Sequence, residues 1–207
     1  MKALVLDGSR EGDSLTPVAV LGMTSALAGR VDDVLLFKLR ELAIAPCTGC
    51  FGCWTRTPGE CVVEDSARDI LRSYVGSDIV VYATPVTFGG YSSQLKKMLD
   101  RFIPVLDPRF TSVGGEVHHL LRYRRYPKTI GLGTLPSPDP EAERLFAGLV
   151  ARNGLNIHQT VVSIVLVGVA DAESARRSAE NLLLIKGPSS GDEVTHRVID
   201  LLQRDFF

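Results

Sequence analysis

Every cysteine of the chain lies between residues 47 and 61, in the spacing Cys47-x2-Cys50-x2-Cys53-x7-Cys61. Thiolates are soft ligands, and four of them so close together suit an iron–sulfur cluster. The run lacks the Cys-Pro of the bacterial ferredoxin pattern, and its fourth cysteine is local. Zinc is usually held by two separated Cys-x-x-Cys pairs, so this spacing suits it less well. The plain alternative is a set of buried thiols, or a labile disulfide, that shapes a loop. Gly49 and Gly52 each precede a cysteine and let the segment fold tightly. Cys47, Cys50, Cys53 and Cys61 are therefore candidate 4Fe–4S ligands, with structural thiols and zinc kept beside that reading.

Two further stretches carry chemistry. Gly8-Ser9-Arg10-Glu11-Gly12-Asp13-Ser14-Leu15-Thr16 offers hydroxyls at Ser9, Ser14 and Thr16 and the guanidinium of Arg10. It leads into a helix start whose N–H groups lack intrahelical partners, so together these make a seat for a phosphate. The simpler reading is that Ser14 or Thr16 only caps the helix. The loop has neither the Walker lysine pattern nor Gly-x-Gly-x-x-Gly, which counts against an ATPase and a Rossmann dinucleotide fold. Thr84-Pro85-Val86-Thr87-Phe88-Gly89-Gly90 is the other stretch. Pro85 to Gly89 could line a flat ring; the alternative is an ordinary connection between a strand and a helix. Gly131 to Pro136 is a third possible wall.

These loops need elements to hold them. Strands are expected at 3–6, 31–36, 79–83, 128–133 and 159–169, from apolar runs bounded by polar residues. Helices are expected at 15–27, 65–75 (capped by Asp65 or Ser66), 91–102, 140–152, 172–186 and 193–204. Asn153-Gly154 reads as a helix stop. Residues 104–127 show no clean periodicity. The alternation implies an α/β fold: a flavodoxin-like three-layer α/β/α sandwich with a five-stranded parallel sheet in the order 2-1-3-4-5. The switch point then lies between the first and third strands, where their two loops face each other. One domain over 1–207 is the expectation.

At these residues the chain resembles the NADPH-dependent FMN reductases and iron–sulfur flavoproteins of the flavodoxin-like superfamily. The resemblance rests on Gly8-Ser9-Arg10 with Ser14-Leu15-Thr16, and on Thr84-Pro85-Val86-Thr87-Phe88-Gly89 followed by Gln94-Leu95-Lys96 and Asp100-Arg101. It covers residues 1–103, and the remainder by topology alone. The first loop is one residue shorter than the usual pattern, and Thr87 stands where an aromatic is common. The resemblance implies FMN, with its phosphate at Ser9, Arg10, Ser14, Leu15 and Thr16 and its ring against Pro85, Val86, Thr87, Phe88 and Gly89. It also implies NAD(P)H as electron donor and a homodimer or homotetramer. The iron–sulfur flavoproteins carry a compact cysteine pattern after a similar Ala-Pro, here Ala45-Pro46-Cys47.

Bulk composition is ordinary: 45% hydrophobic, 23% charged, and a net charge of −1 that argues against nucleic-acid or membrane partners. The first apolar run is too short for a signal peptide, so a cytoplasmic location is the expectation. Gly187-Pro188-Ser189-Ser190-Gly191 matches a hydrolase elbow in letters but follows a helical stretch, so it reads as a turn. His118, His119, Arg122, Arg124 and Arg125 could meet the 2′-phosphate of NADPH, or form a solvated loop or subunit contact. No carboxylate pair or Ser/His/Asp set can be argued, which fits an enzyme whose cofactor carries the chemistry. The function expected is FMN-dependent transfer of electrons from NAD(P)H to a small-molecule acceptor such as a quinone or free flavin. Two alternatives stand beside it: an FMN and 4Fe–4S carrier fed by an electron-transfer protein, and a cofactor-free binding module.

Overall fold

The computed structural model describes residues 1–159 and 161–184. In chain order it has β1 (Lys2–Asp7), α1 (Leu15–Ala28), β2 (Asp33–Lys38), the single turn α2 (Gly52–Thr55), α3 (Ser66–Val75), β3 (Ile79–Pro85) and α4 (Ser93–Leu99). Then come β4 (Leu106–Val113), β5 (Glu116–Leu121), β6 (Lys128–Leu135), α5 (Pro140–Asn156), β7 (Val161–Val167) and α6 (Ala172–Leu184). Five strands form one parallel sheet in the order β2-β1-β3-β6-β7. Counted over the parallel strands alone, that is the 2-1-3-4-5 order expected from the sequence.

Alternate residues of each strand feed opposite layers, as a sheet covered on both faces requires. Ala3 and Val5 of β1, with Val81 and Ala83 of β3, pack under Ala19, Val20, Met23 and Leu27 of α1 and Ala175 and Ala179 of α6. Leu4, Leu6, Val80 and Tyr82 point the other way, onto Ile70 and Tyr74 of α3 and Leu95 and Met98 of α4. Ile70, Leu95 and Met98 have no exposed surface, so truncating one to Ala costs about 2–5 kcal/mol.

The structure departs from the sequence expectations in three places. Residues 104–127, which have no period, hold an antiparallel hairpin of β4 and β5 whose register shifts between Leu106 and Phe110. The helix expected over 91–102 is α4 followed by a 3-10 stretch over Asp100–Val105 that accommodates Pro104. Helix α5 runs through Asn153-Gly154 instead of stopping there. Gly154 answers a packing need: a Cβ on it would lie 2.3 Å from Cγ1 of Val161. The last expected helix (193–204) and the Gly187–Gly191 turn lie outside the described residues.

Candidate functional site

β1 and β3 are neighbours in register, Asp7 beside Ala83, while α1 and α4 leave them for opposite faces. That divergence opens the switch-point crevice at the carboxyl ends of the two strands. The two loops are joined by hydrogen bonds. The Gly8 N–H donates to the Ala83 carbonyl at 2.8 Å, and the Ser92 hydroxyl donates to the Gly8 carbonyl at 2.5 Å. The Ser92 N–H donates to Thr84 Oγ1 (2.8 Å), and Ser92 Oγ accepts from the Leu95 N–H (3.2 Å), capping α4. One buried serine thus locks both loops and a helix start together.

On the first loop, an anion already lies at the helix start. Oδ1 of Asp13 accepts from the N–H groups of Leu15 (3.0 Å) and Thr16 (3.1 Å). Ser14 stands at the cap position and makes no side-chain cap bond. The second carboxylate oxygen of Asp13 is buried without a partner among the described residues. Thr16 is fully buried, its hydroxyl 2.7 Å from that of Thr134 on β6. Ser9 is buried too; its N–H donates to Asp7 Oδ1 (2.8 Å), and its hydroxyl accepts from Nη1 of Arg40 at 3.2 Å. Arg10 and Ser14 are exposed, and Leu15 is half-buried. The loop therefore combines an occupied anion seat with a guanidinium, Arg40, supplied by the stretch after β2.

The third-strand loop is a tight two-residue turn. Thr87 and Gly90 exchange backbone hydrogen bonds of 3.0 and 2.9 Å. Phe88 (φ 50°) and Gly89 (φ 73°) are both left-handed, the geometry of a type I′ turn. Glycine accepts that region freely, whereas a phenylalanine there is strained. Phe88 is 102% exposed, and the Thr87 hydroxyl is buried without a partner among the described residues. Pro85 and Val86 are half-buried at the base of the turn, and Gly89 is buried. The third wall expected at 131–136 belongs mostly to β6, whose Thr134 carbonyl accepts from the Val86 N–H at 3.0 Å.

The cysteines gather around one recess. Cys47, Cys50, Cys53 and Cys61 line it with Phe51, Val63, Arg101 and Ile103, and all four thiols are free. Burial pushes the Cys53 thiol up, and the thiols of Cys61, Cys47 and Cys50 push the same way. Cys50 is exposed and held down mainly by the Gly52 N–H, with Thr48 and Arg56 adding to it against burial. The donor set is that of a four-thiolate centre. Among the described residues no three ligand-type side chains converge closely enough to hold a single ion as they stand. Trp54 closes the segment: its Nε1–H donates to the carbonyls of Ile103 and Leu106, each at 3.1 Å, and its ring lies between Phe51 and His119.

The basic segment of the hairpin does not gather around one anion. Arg122 donates to the Pro104 carbonyl (3.0 Å), and Arg125 pairs with Asp78 at 2.7 Å. His118 is buried beside Glu116 and Asn156. Arg40 and Ser92 have no site role in the sequence expectations; Asp13 enters there only as part of the first loop, and Arg101 only within the Asp100-Arg101 motif. Ser92 falls inside the helix expected over 91–102 and proves to cap the observed α4. Asp13, two residues before Leu15, carries an ordinary capping signal; nothing in the local pattern marks Arg40.

The chain is 30% identical over 105 residues to an iron–sulfur flavoprotein of Methanocaldococcus jannaschii, covering 51% of this chain and 53% of that one. It is 35% identical over 104 residues to an iron–sulfur flavoprotein of Methanosarcina thermophila, covering 50% and 53%. The chain thus spans about half the length of the curated relatives it matches. In fold it is similar to an NAD(P)H:quinone oxidoreductase of Methanothermobacter marburgensis, with TM-score 0.63, 13% identity, and 88% and 98% of the two chains covered. The family model for NADPH-dependent FMN reductase matches residues 1–119, more than half of the chain, and the chain belongs to that family.

Proposed function

We propose that the chain is a single flavodoxin-like domain over residues 1–207 that binds FMN at the switch point. There it moves electrons from NAD(P)H to a small-molecule acceptor such as a quinone or free flavin. Family membership supports the cofactor and the donor. The observation that carries the site is the Asp13 carboxylate on the N–H groups of Leu15 and Thr16. That carboxylate stands in for an anion at a helix start, the place suited to a phosphate. The fit is further supported by the buried, unpartnered Thr87 hydroxyl on the facing loop.

In this reading Ser9, Arg10, Ser14 and the N–H groups of Leu15 and Thr16 hold the phosphate, and Arg40 joins them. Thr16's hydroxyl stays with Thr134. Pro85, Val86, Thr87, Phe88 and Gly89 lie along the ring, with the Thr87 hydroxyl free to meet a polar ring edge. FMN, when bound, supplies the electron chemistry; the protein orients it and excludes water. The fully exposed Phe88 suits an edge covered by a second copy, so a homodimer or homotetramer belongs to the proposal, as does a cytoplasmic location. Among the described residues no helix is long and apolar enough to cross a membrane. The test is FMN uptake by the purified chain, followed by anaerobic mixing with NADPH or NADH. Uptake with bleaching supports the proposal, whereas a protein that takes up no FMN overturns it.

A second reading is favoured by one observation, the four cysteines on a single recess. In it Cys47, Cys50, Cys53 and Cys61 hold a 4Fe–4S cluster, and the chain exchanges electrons with an electron-transfer protein. Four thiolates are the donor set such a cluster takes. Iron and sulfide analysis of anaerobically purified protein decides it.

A further inference from the structure

Arg101 has 1% of its surface exposed, among the most buried of the large side chains. Its fork meets Asp65 on two sides, Nη1 to Oδ2 at 2.7 Å and Nη2 to Oδ1 at 3.1 Å. Nη1 also donates to the Ala45 carbonyl at 2.7 Å, and Nη2 reaches the Val63 carbonyl at 3.5 Å. Asp65 in turn accepts from the Ala45 N–H at 2.8 Å. Ala45 precedes the first cysteine by two residues, and Val63 follows the last by two. Both ends of the cysteine loop are therefore tied to one buried ion pair. Arg101 itself lines the recess with the Cys61 thiol beside it, and its Nε–H is buried with no partner in good hydrogen-bond geometry among the described residues. A buried guanidinium N–H left unpaired is costly unless something accepts from it.

We propose that Arg101, locked by Asp65, is the positioning residue of the four-cysteine site. It brings Cys47 and Cys61 to the same recess and keeps its Nε–H for a sulfur of the occupied site. The pair is close to neutral as a whole, so its work is geometric: it fixes the loop ends and supplies one aimed donor. Outer partners of this kind orient ligands and support their affinity for a metal. A lysine cannot reproduce the planar fork, although it keeps the charge. The inference rests on the four-thiolate reading but not on the identity of the metal.

The test adds Co²⁺ anaerobically to the reduced full-length chain and follows sulfur-to-cobalt charge-transfer absorption. Wild type should bind with thiolate bands as the four thiols, too far apart as they stand to hold a single ion, close on the metal. Arg101→Lys should lose about tenfold to a hundredfold in Co²⁺ affinity, with weaker thiolate bands and unchanged FMN uptake. Asp65→Asn should shift the same way by less, since its amide oxygen still caps α3; it carries the test if Arg101→Lys fails to fold. Wild-type affinity and bands in both variants would overturn the proposal, and so would a wild type without sulfur-to-cobalt bands. If Co²⁺ behaves as stated but iron and sulfide assemble no cluster in wild type, the carrier reading fails and the role of Arg101 stands.

Discussion

Replacing Asp13 separates the phosphate seat from the rest of the site. Its carboxylate accepts two backbone N–H bonds, at 3.0 and 3.1 Å, at the start of α1. Losing such a cap costs about 0.5–2 kcal/mol, of which the negative charge at a helix start supplies about 0.3–1 kcal/mol. Asp13→Ala should therefore destabilise the FMN-free chain by about 1–2 kcal/mol, a fall in Tm of about 2–8 °C for a chain of this size. FMN should respond in the opposite sense. Its phosphate needs the same N–H groups, so in wild type it must displace the carboxylate and lie near its charge. Removing the competitor returns that 1–2 kcal/mol to binding, a gain in FMN affinity of about 5- to 30-fold. Asp13→Asn should gain less, because it keeps an acceptor and loses only the charge. Riboflavin, which has no phosphate, is the control and should bind both variants as it binds wild type. The assay is flavin fluorescence quenching beside thermal unfolding. A loss of FMN affinity in Asp13→Ala, or an equal gain for riboflavin, would refute the assignment of this helix start to the phosphate.

Phe88→Gly relieves a left-handed φ of 50° and should stabilise the turn by about 1 kcal/mol, read as a higher Tm; it should also weaken self-association if the exposed ring is an intersubunit contact. Thr134→Val leaves the buried Thr16 hydroxyl without its 2.7 Å partner and should cost about 1–3 kcal/mol in denaturant unfolding, while Thr16→Val with Thr134→Val should come close to wild type. Asp65 governs an acid limb. Burial pushes its carboxyl up, but Arg101 and the N–H groups of Ala45 and Ala67 outweigh that and leave it below the ordinary carboxylate value. Its contribution is therefore present at neutral pH and is lost as pH falls through the lowered native value. Asp65→Asn should cost about 1–3 kcal/mol at pH 7, and the gap to wild type should narrow progressively below about pH 4. Urea unfolding across pH checks this; a constant gap would count against it.

The sheet and its order could be read from the sequence because parallel strands buried on both faces appear as continuous apolar runs, as in Ala3–Leu6 and Ile79–Ala83. The hairpin could not. Its strands are mostly half-buried without alternation, with apolar Phe110 and Val117 exposed at 65% and 73%, and the register shift after Leu106 breaks any period of two. Asn153-Gly154 misled for a different reason: a glycine at a helix stop and a glycine required by close packing look the same in one dimension. The loops that face each other at the switch point follow from topology. What they do with their polar groups does not. Asp13 filling the helix start is a local cap, two and three residues from its donors, whereas Arg40 reaching Ser9 from the stretch after β2 and Arg101 gripping both ends of the cysteine loop are long-range contacts that no local periodicity marks.

The most direct measurement of the central claim is titration of FMN into the purified chain, followed by anaerobic addition of NADPH. The expected result is saturable uptake that riboflavin does not match, with the bound flavin bleached by the nicotinamide. A chain that stays colourless in FMN, or one that binds riboflavin equally well, would contradict a phosphate seat between Gly8 and Thr16 facing residues 84–90.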